Sequence, residues 1–222
     1  ILPAIDSKSY DAMWQCYNLN AELQRMMIGL HPESVNKNYC EELNFIENEL
    51  KHNHKSYVGI GEIGIDLYWD NTFLIEQKIV LQQQLQWSID YNLPVCIHQR
   101  NSLKEIMEIL DDFSEELRGV FHCFTGSIDE AIQIVERGFY LGIGGVITFK
   151  NSKLSETIKK IGLENLVLET DAPYLTPVPY RGKRNESSYI PIIANKIADI
   201  LNVNVDIVSA KTTANAKKLF SL

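Results

Sequence analysis

The sequence predicts an α/β protein of the TIM-type (β/α)8 barrel class, and three observations carry that prediction. Seven short apolar runs recur along the 222 residues: Ile1–Ile5, Met26–Leu30, Tyr57–Gly61, Pro94–Ile97, Gly119–Phe121, Phe139–Ile143 and Leu166–Leu168. Each is nearly continuous in apolar character, as in strands covered on both faces of a parallel sheet. Segments with helical spacing lie between them, so strand and helix alternate. Finally, polar residues able to do chemistry stand just past several run ends, where barrel enzymes build their sites.

Taken in order, Tyr10–Met26 and Asn38–Leu50 read as the first two helices, and Thr72–Tyr91 carries apolar residues at helical spacing. Ser127 and Glu130 form a Ser-x-x-Glu capping box that opens a helix over Ser127–Arg137. After the seventh run comes a Pro/Gly-rich loop, Ala172–Asn185, then two helices at Tyr189–Leu201 and Asp206–Phe220. Ile192, Ile193, Ile197 and Ile200 make a core face on the first of these. No linker, low-complexity tract or longer repeat interrupts the series, which predicts one domain over residues 1–222.

With 45% hydrophobic and 23% charged residues, the composition excludes disordered, collagen-like and low-complexity classes. Twenty-one Lys and Arg against 29 Asp and Glu leave a charge of −8, so no global positive field draws the chain to nucleic acid. Phosphate binding must be local or carried by metal ions. No apolar run approaches the ~20 residues that span a bilayer, so no membrane partner is expected. The absence of a signal peptide and of Cys-x-x-Cys pairs predicts a cytoplasmic protein. Cys16, Cys40, Cys96 and Cys123 read as buried small apolar residues, Trp14, Trp69 and Trp87 as packing, and Tyr68 as a rim residue.

The third run leads into Glu62 and then Asp66, the fourth into His98, the fifth into His122 and the seventh into Asp171. In a closed barrel such exits converge on one rim. A lone histidine at a strand end is more often a hydrogen-bonded structural residue than a ligand, and Glu62 or Asp171 alone could cap a helix. Carboxylate and imidazole groups at four exits together suit zinc, manganese or a similar divalent ion, and a bridging carboxylate would permit two.

These residues sit in longer blocks: Gly29-Leu30-His31-Pro32; Gly59 through Asp66; Leu93-Pro94 through His98 and Arg100; Phe121-His122-Cys123-Phe124-Thr125-Gly126-Ser127; and Glu169-Thr170-Asp171-Ala172-Pro173-Tyr174-Leu175-Thr176-Pro177, continuing through Arg181-Gly182-Lys183-Arg184-Asn185. In this the chain resembles the TatD family of metal-dependent deoxyribonucleases, in the amidohydrolase-like barrel group. The resemblance implies two adjacent sites for divalent ions such as Mg²⁺, Mn²⁺ or Zn²⁺. Glu62 would bridge both, His98 and His122 would complete the second, and Asp171 would bind the first and act as general base. His31, Arg100, Arg181 and Arg184 would face the substrate, with Lys183 adding charge at the rim. The implied reaction is hydrolysis of DNA phosphodiesters from single-stranded 3′ ends by a monomer. Amide or carboxylic-ester hydrolysis, such as aminoacyl-tRNA deacylation, and a catalytically impaired remnant are the alternatives.

The chain departs from the family pattern twice. Where the family reads His-Ser-Arg-Asp, this sequence reads His98-Gln99-Arg100-Asn101. Family members also open with a strand ending in His-x-His, whose imidazoles bind the first metal; seven runs predict that this first strand and its helix precede Ile1, so that only one ion is expected to bind. His52-Asn53-His54 has the same spacing but stands at the entering end of its strand, between Lys51 and Lys55, and reads as a solvated loop.

Overall fold

The computed structural model describes residues 1–68, 70–113 and 117–222, so Trp69 lies outside the described residues. Two compact units make up the chain, residues 1–119 and 120–222. In the first, β1 (Leu2–Ala4), β2 (Met26–Ile28), β3 (Tyr57–Asp66) and β4 (Val95–Arg100) pair in that order, all parallel. In the second, β5 (Gly119–Phe121, whose first residue closes the first unit), β6 (Tyr140–Ile143) and β7 (Leu166–Leu168) do the same. The helices are α1 (Ser7–Leu19), α2 (Tyr39–Asn53), α3 (Leu74–Asp90), α4 (Leu103–Asp111), α5 (Ile128–Glu136), α6 (Leu154–Ile161), α7 (Ile190–Leu201) and α8 (Val205–Phe220). All seven expected strands are present, each followed by a helix.

Local chemistry sets the boundaries. Asp6 and Ser9 cap each other reciprocally, Asp6 Oδ1 accepting from Ser9 N at 2.8 Å, so α1 begins at Ser7 rather than at Tyr10. It stops at Leu19, short of the expected Met26, and Arg25 then folds its guanidinium back onto the carbonyls of Ala21, Glu22 and Gln24. The Ser127–Glu130 capping box is present at α5. Helices α4 and α6, not expected from the sequence, are only nine and eight residues long. They show their period through Leu103, Ile106 and Leu110, and through Leu154 and Ile158. In α7, Ile193 and Ile197 are fully buried with Ala194 and Ala198, whereas Ile192 and Ile200 are half-buried at the edge of that face.

Side chains from strands and helices close each core. Ile28, Ile60, Ile63, Ile65 and Ile97 are under 2% exposed in the first unit, with Leu81 and Leu85 of α3. Each such burial contributes about 1.5–3 kcal/mol. Two glutamines of α3 reach past this core to peptide groups at the strand exits. Gln84 accepts from Leu30 N at 2.7 Å and donates to Leu30 O at 3.2 Å, and Gln77 accepts from Asp66 N at 2.9 Å and donates to Asp66 O at 3.4 Å. Each side-chain amide thereby imitates a neighbouring strand.

Two further expectations are corrected, and that for the tryptophans holds for the two described. His52 and His54 lie at the end of α2 and in the turn after it, their rings on the carbonyls of Asn48 and Leu50, because the helix runs on through His52 and a further 3-10 turn takes in His54. Among the cysteines Cys96 is buried, Cys16 and Cys123 are half-buried and Cys40 is exposed on α2. Trp87 is buried and Trp14 half-buried against Tyr10 and Tyr17.

Tyr57, at the start of β3, is 3% exposed, and its hydroxyl meets no hydrogen-bond partner among the described residues. Burial, with Tyr10 and Glu49 close by, pushes the phenol well above the ordinary tyrosine range. A raised folded-state value means that the unfolded chain releases this proton first, so stability intact below pH ~10 is lost as pH rises beyond it. Tyr57→Phe is expected to melt at the same temperature or higher at neutral pH and to lose less stability between pH 9 and 11, as read by thermal melts.

Candidate metal centre

Strand β3 does not end where its apolar run does. Its register with β4 pairs Gly61 with Cys96 and then Ile63 with Ile97, so Glu62 is the extra residue of a bulge. A bulge re-aims one side chain without ending the strand. Glu62 is therefore displaced from the core alternation, and both strands continue: β3 to Asp66 and β4 through His98 to Arg100. The sequence expectation placed Glu62 and His98 beyond strand ends; they are within the strands. Gly64 makes this possible, since its φ is 142° and a Cβ there would fall on the carbonyl oxygen of His98.

The first unit brings five of the polar side chains together. His98 Nε2 lies 2.8 Å from Asp66 Oδ2, and Asp66 Oδ1 accepts from Tyr68 N at 2.8 Å. Asp66 is 4% exposed; burial alone would raise its pKa, but the hydrogen bonds from His98 and Tyr68 N and the nearby Arg100 outweigh it and hold the carboxyl below its ordinary value. An ionised Asp66 fixes the proton of His98 on Nε2 and presents the Nδ1 lone pair, the orientation that second-sphere carboxylates impose on metal-binding histidines. His31 Nδ1 accepts from Glu33 N at 3.2 Å, its Nε2 stands 3.8 Å from Glu62 Oε2, and its ring meets that of His98 edge-on at 4.5 Å. His31 is thus buried beside Glu62 and not spread on the rim. Arg100 stacks on the Tyr68 ring at 3.6 Å, and Tyr68 is exposed, as a rim residue should be.

In the second unit His122 follows β5 and is 8% exposed, with Nδ1 3.5 Å from Glu169 Oε2. Glu169 Oε1 also accepts from Cys123 N in a short hydrogen bond. Gly142 leaves the room for that carboxylate, since a Cβ at 142 would overlap Glu169 Oε1. Asp171 is half-buried at φ 53° and opens a turn in which Tyr174 N donates to Asp171 O at 2.8 Å. Asn101, Cys123 and Asp171, which follow β4, β5 and β7, have φ of 55°, 48° and 53°. Non-glycine residues rarely adopt this region, and it recurs at functional sites. Aspartate and asparagine tolerate it best, which accounts for Asn101 standing where the family pattern has Asp. Arg181 lies over the Phe149 ring at 3.9 Å, and Arg184 is exposed on the same loop.

Half-buried Glu62 and an oriented His98 in the first unit, and buried His122 and half-buried Asp171 in the second, are each of the carboxylate and imidazole types that bind divalent cations. Asp66 and Glu169 are given no site role by the sequence. Their signal is a carboxylate closing an apolar run, at Ile65-Asp66 and Leu168-Glu169.

Residues 1–221 match the family described as TatD related DNase. The chain belongs to the TatD family. It is 40% identical over 197 residues to the uncharacterized metal-dependent hydrolase YabD of Bacillus subtilis (strain 168), covering 88% of this chain and 76% of that protein. It is 32% identical over 197 residues to the uncharacterized metal-dependent hydrolase YcfH of Escherichia coli (strain K12), covering 87% and 72%. Among solved structures, that of the TatD homolog YjjV from Escherichia coli K12 superimposes with a TM-score of 0.89 at 27% identity, over 99% of this chain and 85% of that one. The TatD-family chain described here is thus a metal-dependent hydrolase of the TatD barrel fold. None of its described helices is long and apolar enough to cross a membrane.

Asp66→Asn keeps the backbone bonds to Gln77 and removes the charge that orients His98. It is expected to weaken divalent-metal affinity about 10–100-fold without moving the melting temperature of the metal-free protein, as measured by titration against a competing chelator.

Proposed function

We propose that this TatD-family chain hydrolyses phosphodiester bonds of DNA, with single-stranded ends as substrate. Glu62, His98, His122 and Asp171 would hold the divalent cations; where two are bound, Glu62 would be shared. The cations, when bound, supply a hydroxide nucleophile at neutral pH and neutralise charge growing on the phosphate oxygens. Asp171 accepts the proton of the attacking water, Asp66 and Glu169 keep the two imidazoles in their ligating orientation, and His31 and Arg100 meet the phosphate.

The observation that carries this reading is the pairing of two histidines with carboxylates of their own, His98 of β4 with Asp66 and His122, just past β5, with Glu169. Such pairs are what metal ligation needs and what packing does not. In a chain of net charge −8, cations and the basic Arg181–Arg184 stretch are the means of attracting a polyanion. The test is a substrate panel with the purified chain in millimolar Mn²⁺ or Mg²⁺, with EDTA controls. Release of nucleotides from single-stranded DNA is expected and must vanish with EDTA. Release of amino acid from aminoacyl-tRNA, or of ammonia from amides, with DNA untouched, would overturn the assignment in favour of carbonyl chemistry.

A further inference from the structure

Past Asp171 the chain does something that folding does not require. Tyr174 is 70% exposed, yet its backbone is clamped at both ends: its N–H donates to Asp171 O at 2.8 Å, and its carbonyl accepts from Asn185 Nδ2 at 2.5 Å. Asn185, 2% exposed, also donates to Thr170 O at 2.6 Å, while Thr176 Oγ1 donates to Lys183 O at 2.5 Å and Val178 N to Thr148 Oγ1 at 2.8 Å. A large ring is therefore held out to solvent on an internally bonded loop, one turn from the carboxylate assigned to the water.

The same loop carries Tyr180, stacked on Tyr189 with ring centroids 4.8 Å apart and planes within 6°, with Lys183 Nζ 5.7 Å above its ring. Over residues 172–189 three cations, Arg181, Lys183 and Arg184, face one carboxylate, Glu186. The charge is opposite to that of the chain as a whole. In the first unit, by contrast, the cavity of about 380 Å³ beside Asp66 also carries Glu33 and Asp70 and would repel a polyanion.

We propose that this loop is a base-stacking platform: Tyr174 takes the face of an unpaired base of a single strand, and Arg181, Lys183 and Arg184 meet its phosphates. Exposed aromatic rings interleaved with cations are how single strands are bound without sequence preference, because every base has a π-face and duplex bases do not offer theirs. Clamping the backbone removes most of the ordering cost that an exposed loop would otherwise impose on binding. The inference rests on the phosphodiester reading above and adds to it the recognition of unpaired bases.

The test uses an eight-nucleotide single strand carrying 2-aminopurine at its 3′ end and labelled for anisotropy at its 5′ end, with the whole chain in millimolar Ca²⁺ in place of the Mg²⁺ or Mn²⁺ of the cleavage assay. Binding to the wild type and to Tyr174→Phe is expected to quench the 2-aminopurine. Tyr174→Ala is expected to abolish the quench and weaken binding roughly 5- to 150-fold, the range for one stacked base. An oligonucleotide abasic at that position should bind wild type and Tyr174→Ala alike. If Tyr174→Ala quenches and binds as wild type does while DNA is still cleaved, the platform is wrong and the phosphodiester reading stands. If the wild type shows neither anisotropy change nor cleavage with any single strand, both fail.

Discussion

Asp171→Asn is expected to lower kcat on single-stranded DNA by about 10²–10⁴-fold, the contribution of a positioned general base, while the thermal melt stays where it is. Asparagine is the informative replacement because residue 171 has φ 53°, a conformation that asparagine tolerates. Alanine there would add a backbone cost of about 1–2 kcal/mol, mixing strain with chemistry. Side-chain volume is preserved, the carbonyl that accepts from Tyr174 N is unchanged, and what disappears is a negative oxygen able to take a proton. Steady-state kinetics in saturating Mn²⁺ read the effect on kcat. A near-normal rate in a protein shown to be loaded with metal would refute the assignment of Asp171 as base.

Gly64→Ala should be the most costly glycine-to-alanine change among the described residues. The new carbon would lie 1.9 Å from the carbonyl oxygen of His98, on a backbone at φ 142° where side chains are strained whatever the space around them. Backbone cannot step aside as a flexible side chain does, so β3 and β4 must separate at the point where Glu62, Asp66 and His98 are set. The expected cost is roughly 3–5 kcal/mol, the range of severe core substitutions, read as a fall of about 10 °C in Tm or as failure to fold. A melt within a degree or two of the parent would mean that the two strands do not approach as described.

The strands were legible because both their faces are covered: Ile28, Ile60, Ile97 and Leu166 belong to runs with no polar interruption, and nothing else writes that pattern so briefly. The ends of β3 and β4 were not, because Glu62 and His98 look like the start of a loop when they are strand residues turned to another purpose by the bulge. Helices α4 and α6 escaped notice for being barely longer than two turns. Four acidic and imidazole groups were readable from their positions after apolar runs. The carboxylates that steer the imidazoles were harder: Asp66 finds its histidine 32 residues away and Glu169 finds His122 47 residues back, and no local spacing connects them. Tyr174 stands in a quoted motif, but that its ring faces water while its peptide is tied down is a property of Asn185, eleven residues on.

The two amide clasps that α3 places on Leu30 and Asp66 carry a consequence for how this protein wears out. Leu30, which precedes His31, and Asp66, the partner of His98, are held by Gln84 and Gln77, so the seat of one helix sets the placement of both imidazoles. Hydrogen exchange at the Leu30 and Asp66 amides should be as slow as in the deepest strand, and both should open together. Heat would then misplace Asp66 and His98 when α3 lifts, before β3 and β4 part, because accuracy depends on the helix while cohesion depends on the sheet.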